Sequence, residues 1–160
     1  MNGLFMGTYN HTVDPKGRII VPSKFRELLG ENFVVCRGLD KCLWVFTEKE
    51  WDDFSGRLYS LQTSNRDVAF ANSDLKLSST DIRYLVRFFT GSCTETCLDK
   101  QGRILITQPL RDYAALDKDV VLVGVSNKIE IWDKERWDQV SGFDNIEEIA
   151  ERMGELGFGF

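Results

Sequence analysis

Histidine is almost missing from this chain: His11 is the single copy among 160 residues. Cysteine does not replace it as a metal ligand. Cys36 and Cys42 are separated by five residues and Cys93 and Cys97 by three, and neither is a common zinc-knuckle spacing. No metal and no cofactor are expected. Long apolar runs are missing too. The longest, around Val120 to Val125, has the length of a strand and falls far short of the roughly 20 residues that cross a bilayer, so no membrane partner is expected. Met1 to Met6 carries neither the basic start nor the apolar core of a secretory signal. A cytoplasmic location is therefore expected, with reduced thiols. Cys36 and Cys42 fall in predicted strands, where a thiol acts as a small apolar filler. There is no Ser–His–Asp arrangement, so no catalytic residue and no small-molecule substrate are expected. Asp14 and Asp99 resemble a pair of acid–base carboxylates, with His11 three residues from the first. Each opens a turn, however, and backbone hydrogen bonding already accounts for it.

An excess of positive charge is the last thing lacking. The net charge is −5, an unpromising value for a partner of nucleic acids. Its distribution alters that reading: residues 133–160 hold eight acids against three bases, and residues 1–132 hold 17 of each sign. A neutral body can carry a basic face. Lys16, Arg18, Lys24 and Arg26 make the candidate.

What is present is a repeat. Asp14-Pro15-Lys16-Gly17-Arg18 returns 85 residues later as Asp99-Lys100-Gln101-Gly102-Arg103. Ile19-Ile20-Val21 answers to Ile104-Leu105-Ile106, and Phe25-Arg26-Glu27 to Leu110-Arg111-Asp112. A one-residue insertion then pairs Val34-Val35 with Val120-Val121, Gly38 with Gly124, and Trp51 with Trp137. Length and apolar share fit one compact protein or two small intertwined units of about 50 residues, and because units that small bury little surface alone, pairing between halves or subunits is expected. In the five-residue stretch, Asp at the first turn position bonds the amides ahead of it, Pro15 presets φ, and Gly17 supplies the left-handed residue. A type I turn followed by a left-handed glycine is a three-residue hairpin loop. Asp14, Gly17, Asp99 and Gly102 are thus turn-shaping residues, and Arg18 and Arg103 follow on a rigid support. The plainer alternative is a structural hairpin with a solvated or locally paired arginine.

Each unit reads β-β-α-β-β, which makes the fold mostly β with short helices (α+β). The first unit spans residues 5–51, connecting helices and a polar linker 52–90, the second unit 91–137, and a helix end with an acidic tail 138–160. Ser23 is the expected cap of a helix over Lys24 to Leu29. Thr47-Glu48-Lys49-Glu50 forms a capping box that opens a helix with Trp51, Phe54, Leu58 and Leu61 on its core side. Residues 62–80 read as a polar linker with a short turn near Val68 to Phe70, and Asp81 to Phe89 as a helix ended by Gly91. Asp133 caps the expected final helix, and the tail from Asp144 reads as frayed.

Met6-Gly7-x-Tyr9-Asn10-His11-Thr12, the two Asp-x-x-x-Arg hairpins and Gly124-Val125-Ser126-Asn127-Lys128-Ile129-Glu130-Ile131-Trp132 together resemble the MraZ family. This is a bacterial group among the AbrB-like, swapped-hairpin DNA-binding proteins, and the likeness runs from about Phe5 to Trp137. The resemblance implies an AbrB-like double-split barrel, a ring-shaped homo-oligomer and double-stranded DNA with tandem G-containing promoter repeats as partner. It also implies nucleoid association and regulation of the division and cell-wall gene cluster. Carried onto this sequence, the family's arginines fall on Arg18 and Arg103, with Lys16 and Lys100 as neighbours. Lys24 and Arg26 suit phosphates, which position a protein without reading sequence, whereas arginine on guanine O6 and N7 reads bases. The second copy has Gln101, Gln108 and Pro109 where the first has Lys16, Ser23 and Lys24, which ranks Arg18 above Arg103. An antitoxin-like protein-interaction module without specific DNA readout is the alternative, with Phe143, Phe158, Phe160 and the acidic tail as its surface.

Overall fold

The computed structural model describes residues 3–63 and 77–160. The first unit comprises β1 (Phe5–Thr12), β2 (Arg18–Ile20), α1 (Ser23–Leu29), β3 (Asn32–Arg37) and β4 (Leu43–Thr47), followed by α2 (Glu48–Thr63). Helix α3 (Ser79–Thr90) leads into the second: β5 (Thr94–Cys97), β6 (Arg103–Leu105), α4 (Gln108–Tyr113), β7 (Asp119–Ser126) and β8 (Ile129–Asp133). Helices α5 (Lys134–Val140) and α6 (Ile146–Glu155) close the chain.

The two units do not fold side by side; they exchange strands. The large sheet runs β1-β7-β8-β4-β3-β5 with antiparallel neighbours throughout, and β2 pairs with β6 in a separate ribbon. Each unit's first strand therefore lies on the other unit's third, β1 on β7 and β5 on β3. Its second strand lies on the other's second. The bridge between Val13 and Ile19 and the bond from the Asp14 amide to Arg18 O hold the first hairpin's own strands together before they part. The result is the AbrB-like double-split barrel, closed by the β2–β6 ribbon.

The pairing has a two-fold axis. In the ribbon Arg18 faces Leu105, Ile19 faces Ile104 and Ile20 faces Arg103, so the axis passes between the two central isoleucines. In the large sheet Leu43 faces Ile131, Trp44 faces Glu130 and Val45 faces Ile129, which sets a second point of the axis at Trp44 and Glu130. The register also corrects the sequence alignment. Thr96 pairs with Phe33 and its equivalent His11 pairs with Val120, so Phe33-Val34-Val35 corresponds to Val120-Val121-Leu122. The expected match of Val34-Val35 to Val120-Val121 is one residue out of phase, and so is that of Gly38 to Gly124. Side-chain alternation decides the matter, since a one-residue slip turns every side chain to the opposite face. Phe33 and Val35 share the main core with Val120 and Leu122, whereas Val121 belongs to a cluster on the other face.

That main core lies between the sheet, the ribbon and the two short helices. Ile19, Phe25 and Val45 meet Ile104, Leu110 and Ile131 there, all buried. Phe25 packs edge-on against Phe5 at 5.6 Å and Tyr9 at 5.1 Å. On the sheet's other face α2 and α3 cover Cys36 and Phe46, and Trp44 stacks on Phe89 of α3 at 5.4 Å. Trp137 of α5 packs on a third cluster around Cys42, Val121 and Trp132. Glu130, on the axis, accepts from the indole N–H groups of both Trp44 (3.2 Å) and Trp132 (3.0 Å).

Several boundaries differ from expectation. Ser23 is the first residue of α1, Pro22 stands at the cap, and no side-chain bond caps this helix. Pro22 has no side-chain acceptor to offer the free amides of the first turn, and Ser23 already stands one position inside the helix. Thr47 Oγ1 does accept from the Glu50 amide at 3.1 Å. Helix α2 reaches Thr63, and Ser79 and Thr80, expected in the linker, already belong to α3. The Ser78 hydroxyl and the Asp81 carboxylate bond each other's backbone there in a full capping box. The expected turn at Val68 to Phe70 lies outside the described residues. Asp133 caps α5 through the Arg136 amide, but α5 is not the final helix. Residues expected to fray form α6, where Ile146, Ile149 and Met153 fall on one stripe. Glu147 and Glu148 in its first turn and Arg152 in its last suit the helix dipole.

Cys36 and Cys42 sit in the core as fillers. Cys36 and Cys42 are buried and Cys97 is exposed, and burial pushes the Cys36 thiol up to about 12 and Cys93 up to about 11. Burial and the Glu130 carboxylate raise Cys42 as well. A disulfide-exchange reagent at pH 8 is expected to modify Cys97 quickly in the folded protein. Cys36 and Cys42 should react only on addition of denaturant. Rapid native reaction of Cys36 or Cys42, located by peptide mapping, would contradict this packing.

Candidate nucleic-acid interface

The two turns are copies in atomic detail. The Gly17 amide donates to Asp14 O at 2.9 Å and the Asp14 amide to Arg18 O at 2.9 Å; Gly102 and Asp99 repeat this at 3.0 and 2.9 Å. Gly17 and Gly102 sit at φ of 84° and 76°, the left-handed region that the hairpin loop requires. Asp14 Oδ1 accepts from the amides of Lys16 (2.9 Å) and Arg18 (2.8 Å). Asp99 Oδ1 does the same with Gln101 and Arg103, both at 2.9 Å.

The second carboxylate oxygen holds the arginine. Asp14 Oδ2 accepts from Arg18 Nε at 2.6 Å and Asp99 Oδ2 from Arg103 Nε at 2.7 Å. Arg103 Nη1 lies 3.8 Å from Asp14 Oδ2 and so links the two hairpins. Each aspartate engages the Nε edge of its arginine, which leaves the terminal nitrogens of Arg18 in the fork geometry that matches two adjacent acceptors, whereas Nη1 of Arg103 also faces Asp14. Both arginines are locally paired at i, i+4, as the plainer reading expects. The amide of the arginine, then its guanidinium, holds each Asp carboxyl below its ordinary value of 3.8.

The sign of the pH dependence follows. A carboxyl lowered in the folded state stabilises the hairpin above its unfolded pKa, and that contribution disappears as pH falls through the folded value. The thermal midpoint is expected to drop as pH is taken from about 5 to below about 3. An Asp14→Asn, Asp99→Asn double variant should show a smaller drop. An identical pH profile for the two proteins would show that the hairpin carboxylates play no part.

The ribbon displays what the turns hold. Ile19 and Ile104 point into the core, so Arg18, Ile20, Arg103 and Leu105 share the outer face. Ile20 and Leu105 are exposed there. Lys16, Lys24 and Lys100 are exposed on the turns and on α1. Arg26 is half-buried on α1 and reaches the other unit's hairpin. A Cβ on Gly102 would run into the Arg26 guanidinium, and one on Gly17 would run into that of Arg111. Each helix arginine therefore lies over the turn of the opposite unit. Arg111 is fixed in place by Ile106 O at 2.5 Å and Gln108 Oε1 at 2.6 Å. The Ile106 amide donates to Gly17 O and the Val21 amide to Gly102 O, which joins the units on the same surface. Sequence reasoning picked out Arg26 as a site residue but not Arg111, although the 85-residue offset maps one onto the other.

His11 is half-buried on β1 opposite Val120, and burial lowers its pKa. Among the described residues no three His, Cys, Asp or Glu side chains gather as a metal site, and no helix is long and apolar enough to cross a membrane.

Fold and site together define a swapped-hairpin protein with a duplicated unit and two dyad-related arginine turns on one ribbon. Comparison with known proteins narrows this class. The family model described as "MraZ protein, putative antitoxin-like" matches twice, at residues 4–71 and 88–155. The chain is 50% identical over 157 residues to the transcriptional regulator MraZ of Lachnoclostridium phytofermentans, covering 98% of this chain and 100% of that one. It is 47% identical over 156 residues to the transcriptional regulator MraZ of Acetivibrio thermocellus, covering 96% and 99%. The chain belongs to the MraZ family.

Proposed function

We propose that this chain is a DNA-binding transcriptional regulator that acts on the bacterial division and cell-wall gene cluster. It reads tandem G-containing repeats through Arg18 and Arg103, displayed by a ring-shaped homo-oligomer. The observation that carries the reading is the β2–β6 ribbon: two arginines pinned by aspartates and related by a dyad, ringed by exposed lysines. A two-stranded ribbon fits the major groove, where guanine O6 and N7 accept a bidentate arginine. Lys16, Lys24, Lys100 and Arg26 supply phosphate contacts at the rim, and Arg26 and Arg111 each lie over the opposite unit's turn. The names of the relatives agree with regulation of transcription.

One ribbon offers few cations. Several subunits engaging spaced repeats gain affinity through effective concentration, which reconciles DNA binding with a net charge of −5. The acidic residues of α6 (Glu147, Glu148, Glu151 and Glu155) belong to a different element from the ribbon.

Fluorescence anisotropy with the duplex upstream of the chain's own gene tests this, against a shuffled duplex and across a salt series. Saturable binding that fails on shuffled DNA is expected, with log affinity falling linearly in log salt by about 0.9 per neutralised phosphate. Absence of binding at low salt would overturn the proposal. It would favour the protein-interaction reading, for which the exposed Phe143, Phe158 and Phe160 speak.

A further inference from the structure

We propose that Ile20 and Leu105 are specificity-determining residues that read thymine C5-methyl groups beside the guanines contacted by Arg103 and Arg18. The inference rests on the DNA reading above and adds a second base to it. On the outer face of the ribbon Leu105 stands directly opposite Arg18, and Ile20 directly opposite Arg103. Ile20 is 49% and Leu105 54% exposed. Isolated exposed aliphatics are ordinary, but these two are dyad mates in the middle of a face otherwise built of arginine and rimmed by lysine. Both lie in the hydrogen-bonded β2–β6 ladder, which presents the pair from one face.

The spacing suits adjacent bases. Opposed side chains on a ladder start about 5 Å apart, and base pairs stack about 3.4 Å apart. An arginine seated on guanine thus puts its cross-strand neighbour over the pair one or two steps away. The major groove offers one apolar group there, the thymine methyl, which aliphatic side chains contact. Charge argues for DNA rather than a second copy of this chain as the occupant. Asp14 and Asp99 offset Arg18 and Arg103 on this face, so the exposed Lys16 and Lys100 leave it a net positive charge that a second copy of the same face would repel and a polyanion neutralises. The dyad adds a geometric prediction: each subunit's footprint holds two inverted elements, each a guanine with a thymine one or two steps away.

The test uses the full chain and the duplex upstream of its own gene, prepared in three forms. One is natural, one carries uracil for every thymine, and one carries 7-deazaguanine for every guanine. Wild type is expected to bind the uracil duplex about fourfold more weakly for each buried methyl group that uracil removes. Ile20→Ala and Leu105→Ala should each weaken binding to natural DNA by about that factor and shrink the uracil penalty. The double variant should bind natural and uracil duplexes equally. Comparing the two ratios cancels any change that uracil makes to DNA shape. Ile20→Val should retain part of the thymine preference, and melting curves establish that every variant is folded.

Loss of affinity for 7-deazaguanine DNA supports the arginine reading by itself. If that loss is seen while uracil has no effect on wild type, the methyl inference falls and the guanine reading stands. Should 7-deazaguanine have no effect, the guanine reading fails first. A uracil penalty undiminished in the double variant would overturn the inference. So would a change in particle mass by light scattering in the alanine variants, which would mark this face as a contact between copies.

Discussion

Arg18→Ala is expected to weaken binding to the upstream duplex by at least tenfold, Arg103→Ala by somewhat less, and the pair to remove specific binding. A bidentate arginine–guanine contact discriminates by about 1–3 kcal/mol, a factor of roughly 5 to 150. Multivalent engagement multiplies the effect of each subunit's weakening. The ranking follows from the neighbours: Lys16 and Lys24 flank the first hairpin where Gln101 and Pro109 flank the second. Arg18→Lys should not restore specificity. Lysine presents a point charge with no Nε edge for Asp14 to hold, and so forfeits both the anchor and the fork. The salt slope separates the roles. Lys16→Ala or Lys24→Ala should lower it by about one while weakening all sequences alike, whereas Arg18→Ala should narrow the gap between operator and shuffled duplexes. The unfolding midpoint of Arg18→Ala should stay near that of wild type, since the Asp14 carboxylate keeps its bond from the Lys16 amide. Anisotropy that finds Arg18→Ala binding as tightly and as selectively as wild type would defeat the hairpin reading.

The turns were legible from local chemistry, whereas the strand exchange was legible only through the family resemblance, for one physical reason. Asp14, Gly17 and Arg18 determine a turn through bonds spanning four residues, and local chemistry suffices for that. Which strand β2 pairs with is settled by burial of Ile19 against Ile104, a contact that no local signal announces. The same distinction explains the misaligned β3 and β7. Both are continuous apolar runs, Phe33-Val34-Val35-Cys36 and Val120 to Val123, so their hydrophobicity does not show which residues face which layer. The pairing of Thr96 with Phe33 and of His11 with Val120 does. At the site, Asp14, Asp99, Arg18 and Arg103 stand out because their spacing repeats. The position of Arg26 is hidden from the sequence because the helix that bears it crosses to the other unit's turn. The acidity of the tail masks its helix, although Ile146, Ile149 and Met153 carry helical spacing.

Gly124→Ala is expected to be the most damaging small substitution in the chain. Gly124 pairs with Gly7 in the β1–β7 ladder, and an added Cβ would collide with the backbone of Phe5 and Met6. Backbone cannot swing aside as a long side chain does, so β1 itself must shift. It carries Phe5, 1% exposed and packed edge-on against Phe25. Overpacking of this kind costs about 1–3 kcal/mol, rising toward the about 3–5 kcal/mol of deleting a core phenylalanine as Phe5 is dislodged. Gly56→Ala is the matched control. Gly56 lies in the interior of α2 with nothing near its Cβ position, so alanine should stabilise by about 0.5–1 kcal/mol. Chemical denaturation of both variants reads the contrast, and a Gly124→Ala midpoint equal to wild type would show that β1 is not held as closely as the pairing requires. The functional consequence is specific. Strand β1 feeds the first hairpin through Val13, whose bridge to Ile19 ties turn to ribbon. A displaced β1 therefore loosens Asp14 and Arg18 before it disturbs Asp99 and Arg103. DNA affinity should fall in Gly124→Ala even at temperatures where the variant remains folded, and stay unchanged in Gly56→Ala.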